Sequence, residues 1–226
     1  MADYSDLFRL SPERRLSIEM MDGKFPVVLV DGFYERPDEI RAAALTLPFR
    51  KATDRQYPGK LAFIPANPSL RDAMDCVTHL ANNEFLSRAP IRQRGNLISA
   101  LRVTQSDFAI VDMHPNELEP AQRRPHIDPV PVFGLVYLNH EDRGGTLFFQ
   151  IMRDVEGEAG AGYFTEGDEY FRRVGRIEPK FNRLAIYPGF VHHSGEIAGD
   201  WIRGDERFRS PRLTQRFVLT PDQHLR

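Results

Sequence analysis

Arg124-Pro125-His126-Ile127-Asp128-Pro129-Val130 lies between a proline-rich loop (Pro115, Pro120, Pro125) and a strongly apolar run, and the rest of the chain is read from it. On extended backbone, residues two apart project from the same face, so the His126 imidazole and the Asp128 carboxylate can meet one metal ion. Two ligands do not complete a site. A third is offered by Tyr187-Pro188-Gly189-Phe190-Val191-His192-His193-Ser194-Gly195, where two histidines follow an apolar strand and a Pro-Gly pair. Adjacent strand residues point to opposite faces, so one of His192 and His193, not both, can join the first pair. A cation follows on the strand-like run Arg212-Leu213-Thr214-Gln215-Arg216-Phe217-Val218-Leu219. Arg212 and Arg216 share a side of that strand, and a guanidinium is a planar fork suited to gripping a carboxylate.

Around this stretch the pattern changes from helices to strands. Phe25–Val30 is short, apolar and rich in β-branched residues, which predicts a strand, and residues 1–24 are a loose or edge-pairing lead-in. Pro37-Asp38-Glu39 opens a helix with proline at its first position and acids at the positive end of the dipole; Pro48 stops it. A second helix starts at Asn67-Pro68, with Leu70, Met74, Val77, Leu80 and Ala81 in one apolar stripe to be packed against a sheet. Residues 50–66 read as loop. Leu97–Gln105 and Phe108–Val111 read as a hairpin pair, Val132–Asn139 as a strand with Phe133, Leu135 and Tyr137 on one face, and Thr146–Phe149, Leu184–Tyr187 and 212–219 as further strands. Residues 153–176, charged and dotted with glycine, read as a long loop or flap, and 197–210 as a polar excursion carrying Trp201, the sole tryptophan. The class expected is α+β, with helices buttressing an antiparallel barrel or sandwich.

Composition narrows the function. The chain has 226 residues, 41% of them hydrophobic and 27% charged, which fits one globular domain with a sizeable core. A formal net charge of −2 gives no general attraction to nucleic acid or to an anionic membrane. No apolar run has the length of a membrane span, the N-terminal residues lack a basic-then-apolar leader, and the single cysteine, Cys76, fits a reducing cytoplasm. Cys76 on the second helix reads as core filler.

Two histidines and one carboxylate form the facial triad of non-haem Fe(II) oxygenases, which leaves coordination positions open for a co-substrate and O2. A hydrolytic zinc site can use the same ligands, but the helical His-Glu-x-x-His arrangement that would supply its general base is absent. An arginine nearby suits a bidentate organic acid better.

The ordered set resembles the Fe(II)/2-oxoglutarate-dependent dioxygenases, and within them the prolyl 4-hydroxylase-like branch. The resemblance runs from about Phe108 to Leu219. It is carried by His126-Ile127-Asp128, Val136-Tyr137-Leu138-Asn139 with Gly144-Gly145-Thr146-Leu147-Phe148, Asn182-Arg183-Leu184-Ala185-Ile186-Tyr187-Pro188, His193-Ser194 and Arg212. It implies a double-stranded β-helix (jelly-roll or cupin-like) with N-terminal helices on one sheet: a single domain in which residues 1–95 buttress a 96–220 core. It implies His126, Asp128 and His193 as the ligands of Fe(II), His193 being favoured over His192 because a small residue follows it. It also implies 2-oxoglutarate as co-substrate, with Arg212 on the far carboxylate, Tyr137 assisting, and Arg216 as the alternative cation. The implied reaction is oxidative decarboxylation to succinate with hydroxylation of an amino-acid, peptidyl or small natural-product substrate. One departure stands out. Nineteen residues separate His193 from Arg212, more than is usual in that superfamily. A second class of function, a cupin-like module that binds a metal or small acid without catalysis, fits the same barrel.

Overall fold

The structure, a computed structural model, describes residues 4–52, 57–93, 95–153, 167–197 and 211–222. Among these, antiparallel strands dominate and two α-helices accompany them. The strands are β1 (Arg15–Met21), β2 (Phe25–Asp31), β3 (Arg50–Lys51), β4 (Lys60–Phe63), β5 (Arg92–Gln93), β6 (Asn96–Leu97), β7 (Leu101–Val111), β8 (Val132–Tyr137), β9 (Thr146–Ile151), β10 (Phe171–Ile177), β11 (Leu184–Pro188), β12 (His192–Gly195) and β13 (Arg212–Pro221). The helices are α1 (Pro37–Leu45) and α2 (Pro68–Leu80).

A large sheet runs in the order β1-β2-β11-β8-β13-β7-β4-β3, and a small one in the order β10-β9-β12. Alternation along the central strands divides the apolar side chains between two cores. Val28, Val30, Val136, Leu184, Ile186, Leu213 and Phe217 meet Leu70, Ala73 and Val77 of α2 on the outer face of the large sheet. Val27, Leu29, Phe133, Leu135, Tyr137, Ala185 and Tyr187 face the other way and pack on Phe148 and Ile177 of the small sheet. The layers are therefore helix, large sheet, small sheet. Asn67 caps α2, its side chain accepting a hydrogen bond from the Leu70 amide. The apolar stripe of α2 runs on into a π-helical turn, Ala81–Leu86.

Several local readings change. Residues 50–66 are not all loop, because β4 pairs with β7 and extends the large sheet. Of the hairpin expected over 97–111, Leu101–Val111 is one strand, β7, paired along its length with β13, while Leu97 belongs to β6. Its apparent interruption, Ser106-Asp107, is buried polar sequence rather than a turn. The region 1–95 also contributes β1 to β4 to the large sheet, besides its helices. Of the flap expected over 153–176, residues 171–176 belong to β10, with a register shift between Arg173 and Gly175. Residues 154–166 of that flap, and Trp201 with the rest of 198–210, lie outside the described residues.

Candidate metal centre and its cavity

His126, Asp128 and His193 converge on one point between the sheets. Their ligand atoms all lie within 4.8 Å of one another. The segment carrying His126 and Asp128 runs as an extra edge to the small sheet. The His126 amide donates to the His193 carbonyl at 2.9 Å, and the His193 amide donates back to His126 at 2.8 Å. One step on, the Asp128 amide donates to the Gly189 carbonyl at 2.8 Å. Backbone pairing, not side-chain chance, thus brings the two motifs together.

The rings are then fixed by their own contacts. His193 is buried, its Nδ1 lies 2.8 Å from the Val191 carbonyl oxygen, and its Nε2 lies 3.2 Å from Asp128 Oδ2. A carbonyl accepting the Nδ1 proton leaves the Nε2 lone pair for an ion, an outer contact common to metal-binding imidazoles. Burial works against the charge on Asp128. With His193 protonated at both nitrogens, its hydrogen bond and the charges of His193, His126 and Arg216 outweigh it and hold the Asp128 carboxyl below the usual range; an ion would take the place of the Nε2 proton. An anionic carboxylate beside two imidazoles is a donor set that fits a divalent transition metal, and the 3.2 Å between His193 Nε2 and Asp128 Oδ2 is near the roughly 3 Å spacing of neighbouring ligands on an ion bound at ~2.0–2.2 Å. His192 points the other way, its ring centroid 5.8 Å from that of Phe171, and burial followed by the charge of His193 lowers its pKa.

A cavity of about 60 Å³ opens from the triad and is lined by Tyr57, Thr146, Tyr187, Arg212, Thr214 and Arg216, among others. Alternate residues of β13 supply its floor: Arg212, Thr214 and Arg216 face inward while Leu213 and Phe217 face the helices. Arg212 is buried and donates from Nε to the Gly144 carbonyl at 2.7 Å. Among the described residues no carboxylate pairs with it. Gly195 makes room for it, since a Cβ there would stand 3.2 Å from the guanidinium carbon. Two residues on, the buried Thr214 hydroxyl has no hydrogen-bond partner among the described residues.

Tyr137 stands one layer behind this floor. Its buried hydroxyl is 2.7 Å from Thr146 Oγ1, and burial raises its pKa. Arg216 is differently placed from Arg212. Asp107 takes its Nε at 2.6 Å and its Nη2 at 2.8 Å, and its guanidinium lies over the Tyr57 and Phe133 rings. His114 does not join the cluster; its Nδ1 caps a short helical turn by accepting from the Asn116 amide.

Thr214, Thr146, Tyr57 and Tyr187 line the cavity without having been singled out as sequence. Thr214 alone was within reach of it, because it shares an alternating face with Arg212. Tyr57 comes from a stretch read as loop.

A model of a family of unknown function, DUF6445, matches residues 12–159 and 152–219. No curated protein matches the chain in sequence. Among solved structures, the chain is similar to the non-heme alpha ketoglutarate dependent epimerase SnoN from nogalamycin biosynthesis, at 16% identity and a TM-score of 0.44, over 86% of this chain and 77% of that one. It is similar to an oxidoreductase of the 2OG-Fe(II) oxygenase family from Burkholderia pseudomallei, at 10% identity and a TM-score of 0.45, over 87% and 86%. It is also similar to OsALKBH1, at 11% identity and a TM-score of 0.46, over 90% and 99%.

Proposed function

The chain belongs to the family of unknown function DUF6445, and from the geometry of its cavity we propose that it is an Fe(II)- and 2-oxoglutarate-dependent oxygenase. The observation that carries this reading is the pairing of two incomplete sites in one cavity. Three ligands at the mouth leave an ion's other positions open, while at the floor, among the described residues, a buried guanidinium lacks a carboxylate and a buried hydroxyl lacks a partner. A buried cation and an unmatched hydroxyl are both costly. A keto diacid answers both ends: its keto-acid group reaches the ion's open positions, and its far carboxylate accepts from Arg212 and Thr214.

When bound, iron and 2-oxoglutarate supply the oxidising chemistry, in which O2 is consumed, the keto acid leaves as succinate and CO2, and a substrate C–H becomes C–OH. The chain's own residues hold and orient. Val191 fixes the His193 ring, the paired backbones of His126 and His193 set the ligand spacing, and Arg212 with Thr214 selects a diacid of one length. Tyr187 and Phe148 pack against the His193 ring, at 5.2 and 6.3 Å between centroids, and keep its surroundings dry.

In the same reading the fold is a double-stranded β-helix. What supports it is the alternation of the chain between the large and small sheets from β7 through the His126–Val130 segment to β13. Hydroxylation in the manner of the prolyl 4-hydroxylase-like branch is the expectation that goes with the motif order.

The test is 2-oxoglutarate-dependent O2 uptake and succinate release by Fe(II)-loaded protein. Slow substrate-free turnover is expected from the wild type and none from Asp128→Ala. A wild type that holds a redox-inert metal yet neither binds nor turns over 2-oxoglutarate would establish the cupin-like binding module instead.

A further inference from the structure

Beyond the triad, on the side away from Arg212, a second hollow of about 230 Å³ is lined, among the described residues, by Ala52, Tyr57, Leu61, Gln105, His126, Ile127, Asp128, Pro129, Val130, Phe133, Arg216 and Val218. Arg216 and Tyr57 also line the first cavity, so they stand where the two meet. On the oxygenase reading, with the co-substrate on Arg212, this second hollow is where the substrate must lie to face the ion's open position.

Among the described residues the walls of the hollow carry one permanent charge besides the triad, that of Arg216, and that charge is already matched. Asp107, buried, takes Nε and Nη2 of Arg216, and its Oδ2 also accepts from Gln105 Nε2 at 2.6 Å. Among the described residues Arg216 Nη1 has no partner, so the ion pair presents a fixed donor edge with no net charge behind it. On the proposed contents, a divalent ion, Asp128, Arg212 and a keto diacid also sum to neutrality. A carboxylate or ammonium entering such a chamber loses its water and meets no opposite charge, a heavy penalty. Leu61, Ile127, Pro129, Val130, Phe133 and Val218 instead favour apolar surface, worth about 25 cal/mol per Å² buried.

We propose that the substrate is an uncharged, mainly apolar small molecule bearing a carbonyl or hydroxyl oxygen that accepts from Arg216 Nη1, and that the Arg216–Asp107 pair sets this selectivity. Free amino acids and other zwitterions are thereby disfavoured.

A fragment set matched in size, with neutral, anionic, cationic and zwitterionic members and N-acetylated, C-amidated dipeptides, tests this by ligand-observed NMR. The full chain is screened both metal-free and with Zn(II) and 2-oxoglutarate. Chamber ligands are those lost in Val218→Trp or in Leu61→Trp, two independent ways of filling the hollow. Neutral fragments should dominate that group, and Asp107→Asn should raise the affinity of carboxylate fragments at least about tenfold by uncovering the Arg216 charge. The proposal is overturned if charged fragments make up the chamber ligands as often as they make up the set. It is overturned equally if neither blocked variant loses any ligand, or if blocked dipeptides alone are lost. Because the metal-free screen needs neither iron nor co-substrate, a failed oxygenase assay leaves its outcome standing, and the reverse also holds.

Discussion

Asp128 hangs on Gly189: its amide donates to the Gly189 carbonyl at 2.8 Å, and the glycine Cα faces it so closely that a Cβ there would stand 3.2 Å from the Asp128 Cβ. The same Cβ would come within 2.2 Å of the Val130 carbonyl oxygen. Gly189→Ala must therefore push the His126–Val130 segment away from β12, spreading the three ligands. Overpacking of this kind costs about 1–3 kcal/mol, and ligand displacement should weaken metal binding by about tenfold or more. Calorimetric titration with Co(II) reads the affinity; an unchanged constant would mean that the segment is not held by this contact.

The two adjacent histidines separate cleanly. His193→Ala removes a ligand and should abolish stable Mn(II) binding. His192→Ala alters a ring that lies against Phe171 on the far face of β12 and should leave Mn(II) affinity within about twofold. Electron paramagnetic resonance of free Mn(II) distinguishes them directly. Equal losses in both would mean that β12 does not present its side chains as described.

Thr214 offers a prediction with opposite signs in two measurements. Its buried hydroxyl has no partner among the described residues, so Thr214→Val removes an unmet polar group at nearly constant shape and should stabilise the protein by about 1 kcal/mol, or ~2–4 °C in melting temperature. If that hydroxyl serves the co-substrate, the same variant should bind 2-oxoglutarate about five- to tenfold more weakly. Arg212→Ala should weaken it further, by about a hundredfold, through loss of a charge-assisted fork. A Thr214→Val protein that is stabilised but binds 2-oxoglutarate unchanged would remove Thr214 from the co-substrate site.

The parts of the chain that escaped sequence reading share a cause: their pattern is set by partners far away. β7 looked broken because Asp107 interrupts an apolar run, yet that carboxylate is buried to meet Arg216, 109 residues on. β4 is four residues long with a mixed face, and it is a strand because β7 offers it an edge. Arg172, Arg173 and Arg176 made β10 look like a solvated loop, whereas they line an edge strand whose Phe171 and Ile177 are buried on opposite faces of the small sheet. By contrast the His126-x-Asp128 pair, the α2 stripe and the inward face of β8 follow from local periodicity alone, and these were legible. Tyr57 carries no local mark at all, and only the folded chain shows that it borders the metal cavity.

Acid sensitivity should report the clamp that ends β2. Arg183, buried, donates from Nε and Nη2 to the two oxygens of Asp31 at 2.5 and 2.9 Å. The hydrogen bond from Arg183 outweighs partial burial and holds the Asp31 carboxyl below its ordinary value of 3.8. A carboxyl lowered on folding stabilises the folded state above its unfolded pKa, and that contribution disappears as pH falls through the lowered folded value. Asp31→Asn should therefore be less stable than the wild type at pH 7, and the gap should narrow below about pH 4 as the wild-type carboxyl takes up its proton. Because Asp31 is partly open to solvent, added salt should narrow the gap at neutral pH as well. Urea unfolding of both proteins across pH 3 to 7 measures it. A gap that stays constant over that range would show that the stability of the β2 end owes nothing to the charge on Asp31.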